Sequence, residues 1–191
     1  MNRAEYPHRI VLGSGSPRRR ELLSDLGYTF SIRTADIDET PPPGLEGRQI
    51  AEFLAKHKAE HIETAPNEVL ITSDTVVWHN GASLAKPANR NEAIEMITQL
   101  SGDTHQVITG VCLRHDEHLR VFSDVTEVKF KDLSRPDIEF YVDSYYPFDK
   151  AGAYGIQEWI GMIGIEYIRG SYFNVVGLPV EKLDTALLEL L

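Results

Sequence analysis

The sequence predicts an α/β fold: a mixed β-sheet with flanking helices. Two observations carry that expectation. Apolar residues switch repeatedly between a spacing of two and a spacing of three to four, so strands and helices alternate along the chain. Among those alternations, "HQVITGVCLRHDEHLRVFSDVTEVKF" reads as two long strands joined at "HDEH", a hairpin-like pair that a purely parallel sheet would lack. At 191 residues, 42% hydrophobic and 25% charged, the chain can bury a real core and is most simply one domain, residues 1–191.

Each element follows from its local chemistry. "RIVLG" reads as a short buried strand. Ser16 then stands as an N-cap with Pro17 at the first helical position, Leu22, Leu23 and Leu26 form the inward stripe, and Gly27 stops the helix. "YTFSIRT" alternates like a strand, and "DIDETPPPGLEG" is a loop because its prolines and glycines leave no room for a regular element. "RQIAEFLAKHKAEHIE" is a strongly amphipathic helix. "EVLITSDTVVWHNG" is a β-branched run that reads as a central strand interrupted by Ser73, Asp74 and Thr75. "NRNEAIEMITQLSG" is a helix ending at Gly102, "SRPDIEFYVDSYY" is another, and "LPVEKLDTALLELL" closes the chain as a third. The glycine-rich stretch 152–177 must make tight turns or let backbone approach a ligand.

The bulk numbers restrict function. No apolar run is long enough for a signal peptide or a membrane span, so cytoplasmic residence without a membrane partner is the expectation. The single cysteine, Cys112, excludes an internal disulfide framework and reads as a small core hydrophobe. A formal charge of −10 argues against long nucleic acid as a partner, but leaves room for a small anion in a local basic pocket.

Such a pocket is suggested by "LGSGSPRRRELL". Three arginines crowd the start of a helix, where the dipole disfavours them, unless they are merely solvated or an anion belongs there. Strand, glycine turn and helix start supply the free N–H groups of an anion site, and Arg18 sits beside them. No "GxxxxGK[ST]" loop occurs. Asp74, inside an apolar strand, must be paired or bind metal if buried; equally it could lie just past the strand end and cap a turn. "DIDET" supplies Asp36, Asp38 and Glu39, hard oxygen donors of the kind that hold magnesium, or simply a solvated acidic loop. Lys58 on the amphipathic helix and Lys86 in "LAKP" gain meaning only from their company. His57 and His61 stand four apart but lack a third ligand, so a solvated helix face is the expectation.

Taken in order, "LGSGSPRRRELL", "DIDET", "LAKHKA", "SDTVV", "LAKP", "SGDTHQVITGV", "FDKAGAYGIQ" and "GSYFNVVGLPV" resemble the Maf family of nucleoside triphosphate pyrophosphatases, from about Arg9 to the end of the chain. Gly13 and Ser73 depart from it where the family usually has alanine; both are small. The resemblance implies two α/β lobes around a nucleotide-binding cleft, related to the inosine triphosphatase fold, and hydrolysis of a nucleoside triphosphate to the monophosphate and pyrophosphate. It implies a divalent metal, usually Mg2+ or Mn2+, and a cytoplasmic protein that is often a homodimer. By position, Asp74 would be the catalytic acid–base residue and a metal ligand with Glu39. Ser14, Arg18, Lys58 and Lys86 would line the triphosphate site, while Arg18, Thr75 and Gln157 correspond to positions tied to base selection. The form "KAGAYGIQ", ending in glutamine, resembles the subgroup acting on dTTP and UTP rather than the one acting on 7-methyl-GTP. A nucleotide-binding regulator of cell division with little turnover is the competing class. It could dispense with the carboxylates, and both Asp74 and Glu39 are present.

Overall fold

A computed structural model describes residues 2–190. In chain order the elements are β1 (Arg9–Leu12), α1 (Pro17–Asp25), β2 (Phe30–Ile32), α2 (Arg48–Glu60), β3 (Glu68–His79), β4 (Ala82–Leu84) and α3 (Arg90–Leu100). They continue with β5 (Thr104–His115), β6 (His118–Phe130), α4 (Arg135–Tyr145), α5 (Trp159–Gly164), β7 (Ile165–Arg169), α6 (Tyr172–Val176) and α7 (Val180–Leu188). The strands form one mixed sheet in the order β2-β1-β3-β5-β6-β7, with β4 also on β3. β1 runs parallel to both its neighbours, and every other pairing is antiparallel. The expected hairpin is β5–β6, closing with His115 opposite His118.

Alternation along β3 sorts its residues between two faces. Val69 and Ile71 join Val111 and Leu113 of β5 under α1 and α7, whereas Val77 and Val107 pack under α3 and α4. These two apolar clusters are the two lobes. On the same sheet face between them lie Ser73, Thr75 and Thr109, which belong to neither cluster. The opposite face is covered by α2 through Ile50, Ala51, Leu54 and Ala55. Contact there is so close that a Cβ at Gly110 would overlap the backbone of Ala51, so α2 rests directly on β5.

Two expectations need correction. β3 is not interrupted at Ser73–Thr75: the ladder to β5 runs through Ser73↔Val111, Asp74↔Gly110 and Thr75↔Thr109. Asp74 is therefore mid-strand, not a turn cap. Asp74 and Thr75 are tolerated there because β1 leaves β3 after Leu12↔Ile71, and β4 joins only at Val77, so these two border an open cleft, whereas Ser73 is fully buried. Secondly, the stretch 152–177 holds α5, β7 and α6, three elements of five or six residues among the glycines, not turns alone. "YTFSIRT" contributes only the three-residue edge strand β2.

Candidate active site

The chain leaves β1 at Gly13, whose N–H donates to the Ile71 carbonyl at 2.7 Å, and enters α1 at Pro17. α1 and α2 lie on opposite faces of the sheet, so this exit is where the connections diverge and a crevice opens at the carboxyl end of β1. A Cβ at Gly13 would stand 2.6 Å from Thr72 Cγ2, so Thr72 fills the space that an alanine here would need. The Ser16 side chain does not cap α1, and no acidic residue occupies its first turn. The helix start is thus left to an outside acceptor. A cavity of about 460 Å³ opens at this loop, bordered by Ser14, Arg18, Glu39, Lys58 and Lys86.

The three arginines separate. Arg18 reaches across the cleft to Asp149, Nη1 to Oδ2 at 2.8 Å. Arg19 turns inward and donates to the Gly177 carbonyl at 2.9 Å, Ser14 Oγ at 3.2 Å and Thr75 Oγ1 at 3.0 Å. Thr75 in turn meets Thr109 Oγ1 at 3.0 Å, and Thr109 donates to the Asn174 carbonyl at 2.9 Å. Desolvation draws the Arg19 pKa down while the charge of Asp74 draws it up, with a net lowering. Its hydrogen-bond acceptors are all neutral, and the carboxylates of Asp74 and Glu39 act on it only through space. Arg20 is exposed.

Lys58 follows the buried residues Leu54 and Ala55 by four and three positions, which brings it to the sheet-facing side of α2. Its ammonium lies 2.6 Å from Asp74 Oδ1 and 3.0 Å from Glu39 Oε1, and Lys86 Nζ approaches Glu39 Oε2 at 3.9 Å. Burial pushes the Glu39 carboxyl up, but Lys58, Lys86 and Arg19 outweigh it and hold it below its ordinary value. Among the described residues no group of three or more His, Cys, Asp or Glu side chains converges on a metal site. Asp74 and Glu39 nonetheless place two hard carboxylate oxygens on one cation, the Lys58 ammonium. That donor set fits magnesium or manganese, which take one or two carboxylates and complete their shell with phosphate and water.

A smaller cavity of about 120 Å³ continues from the cleft beside Thr75, Lys150, Tyr154 and Gln157. Gln157 is exposed, and its amide makes no hydrogen bond among the described residues. Lys150 is buried, 2.8 Å from Asp149 and 3.2 Å from Glu158. Burial works against ionisation of Asp149, yet Lys150 and Arg18 bring its pKa down to about 2. The cleft therefore brings together Ser14, Arg18, Glu39, Lys58, Asp74, Thr75, Lys86 and Gln157, the eight residues to which the resemblance points, whereas Asp36 and Asp38 line neither cavity. Arg19, Asp149, Lys150 and Glu158 were missed. Lys150 and Gln157 stand in one quoted block, but nothing in their spacing marks the lysine as buried. His57 stacks on Phe53 and meets His61 edge-on, and among the described residues neither joins a metal group.

Comparison with known proteins identifies the family. The family model described as Maf-like protein matches residues 9–190. A dTTP/UTP pyrophosphatase of Bacteroides fragilis is 51% identical over 186 residues, covering 96% of each chain. Another, from Flavobacterium johnsoniae, is 48% identical over 177 residues, covering 92% of this chain and 91% of its own. Among solved structures, a HAM1 protein from Coxiella burnetii is similar in fold, with a TM-score of 0.51 at 22% identity, over 95% of this chain and 99% of its own. With eight motif blocks in order, a cleft that gathers their side chains, and matches over nearly the whole length, this chain belongs to the Maf family.

Proposed function

We propose that the protein hydrolyses dTTP and UTP to the monophosphate and pyrophosphate, with a divalent cation as cofactor. The observation that carries this reading is the Asp74–Lys58–Glu39 cluster, set beside a helix start that has no internal anion. The relatives named dTTP/UTP pyrophosphatase at about half identity support the substrate.

In this reading Ser14, Arg18 and Lys86 receive the phosphates at the start of α1, where dipole and guanidinium act together. Arg19 adds charge from below. Five cations and three carboxylates line the two cavities, and that excess of positive charge together with a divalent cation would balance a triphosphate of about four negative charges. Asp74 orients the attacking water and accepts its proton, and Lys58 keeps the two carboxylates side by side without repulsion. Magnesium or manganese, held by Asp74 and Glu39, would supply further positive charge to the phosphate oxygens at the reacting centre. In-line attack at the α-phosphorus then expels pyrophosphate, its charge spread against Lys58, Lys86 and Arg18. Gln157 offers a donor and an acceptor to the N3–H and carbonyl edge that thymine and uracil share, with Thr75 and Arg18 bordering the same space. The reading carries with it cytoplasmic residence and a homodimer; among the described residues no helix is long and apolar enough to cross a membrane.

A panel of nucleoside triphosphates with Mg2+ or Mn2+, scored for pyrophosphate release, tests this. dTTP and UTP are expected to exceed the purine nucleotides and dCTP by at least about tenfold in kcat/KM, the scale of one lost polar contact in a buried site. EDTA is expected to abolish turnover. Preference for a purine nucleotide would contradict the base assignment, and full activity in EDTA would contradict the metal.

A further inference from the structure

The turn that carries Gln157 is fixed by groups that no nucleotide has to touch. Tyr141 of α4 is fully buried, and its hydroxyl donates to Glu158 Oε2 while accepting the Gly155 N–H at 2.9 Å. The Glu158 N–H closes the turn onto the Gly155 carbonyl at 3.0 Å. The other Glu158 oxygen lies 3.2 Å from the Lys150 ammonium, which also holds Asp149 at 2.8 Å, and Asp149 takes Arg18 across the cleft. One continuous set of polar contacts thus runs from a core helix, through both ends of the Gln157 turn, to the helix at the phosphate end.

For packing alone, phenylalanine would fill the place of Tyr141 without burying a hydroxyl that demands partners. The hydroxyl is instead used twice, both times on this turn. We propose that Tyr141, Glu158 and Lys150 are positioning residues for base selection: they hold the Gly155–Glu158 turn so that the Gln157 amide meets the pyrimidine edge at hydrogen-bond distance. The inference rests on the reading of Gln157 as the residue that contacts the base. An amide on an unsupported loop samples many positions, and discrimination through hydrogen bonds is lost when the reader stands about 1 Å out of place. Gly155 belongs to the same device. A Cβ there would stand 2.9 Å from Glu158 Cδ and 3.1 Å from Gln157 Nε2. Those are the ends of flexible side chains, so alanine would fold and displace both the anchor and the reader.

The test is kcat and KM for dTTP and dCTP in Tyr141→Phe and Gly155→Ala, with Gln157→Glu alongside and thermal melting of each. Cytosine has the same ring size but presents an amino group and an unprotonated N3. In both positioning variants the dTTP:dCTP ratio of kcat/KM is expected to fall at least about fivefold, mainly through a raised KM for dTTP, with kcat for dTTP within about threefold. If both keep the parent ratio while Gln157→Glu loses it, positioning by Tyr141 is wrong and the Gln157 reading stands. The same holds if both substrates decline equally with a lowered Tm, since that is a purely structural effect. If all three keep the ratio, the Gln157 reading fails and the proposal with it.

Discussion

Asp74→Asn is expected to lower kcat for dTTP by at least about a hundredfold, the usual scale for an acid–base group, while the protein stays folded. Asparagine keeps the shape, and the backbone pairing of residue 74 with Gly110 in the middle of the sheet does not depend on the side chain. What disappears is the proton acceptor, one of the two carboxylates assigned to the divalent cation, and one of two carboxylates on Lys58, which retains Glu39 at 3.0 Å. KM should change far less than kcat, because the phosphate contacts assigned to Ser14, Arg18 and Lys86 are untouched. Circular dichroism and a melting curve check the fold. Normal turnover in a folded variant would show that Asp74 takes no part in proton transfer.

Lys58→Met is expected to be nearly as damaging, for a different reason. The Lys58 side chain is 14% exposed and its ammonium stands between Asp74 and Glu39. Methionine fills much of the same space but removes the ammonium that both carboxylates share, leaving Glu39 with the more distant Lys86 at 3.9 Å. With Glu39 46% exposed, solvent screens the loss well below that of a buried pair, so modestly lower stability and about a hundredfold loss of kcat/KM are expected. The pH profile gives the sign. Glu39 is held below its ordinary value chiefly by Lys58, against the effect of burial, so what its charge contributes persists above that value and is lost only as pH falls through it. Without Lys58 its protonation moves up, and the acid limb of kcat/KM against pH should shift to higher pH. An unmoved acid limb in a folded, weakened variant would place Lys58 outside the carboxylate pair.

Long elements were legible in the sequence because periodicity is local information. The apolar stripe of α2, the Ser16–Pro17 start of α1 and the β5–β6 hairpin at "HDEH" all form where the residues place them. The apparent break in β3 was misread for a reason that is not local. Ser73–Asp74–Thr75 looks like an interruption until one knows that β1 ends opposite Ile71 and leaves that part of the strand beside a cleft. α5, β7 and α6 are too short for either period to register, and their glycines argue for turns.

The candidate site shows the same division. Residue types left two readings open, a solvated cluster or an anion site, because three arginines at a helix start run against the helix dipole. Their division of labour could not be read, since Arg18 crosses the cleft, Arg19 turns inward and Arg20 meets solvent only once α1 is docked. The contacts of Tyr141 with Gly155 and Glu158 join residues far apart in sequence without any repeat, so no pattern could have announced them.

The central claim is that this cleft breaks the bond between the α- and β-phosphates, and product identity tests it most directly. The folded protein with dTTP and Mg2+ or Mn2+, followed by 31P NMR, is predicted to yield dTMP and pyrophosphate in equal amounts from the first turnover. Accumulation of dTDP with orthophosphate would contradict the account, because it would put cleavage at the terminal phosphate.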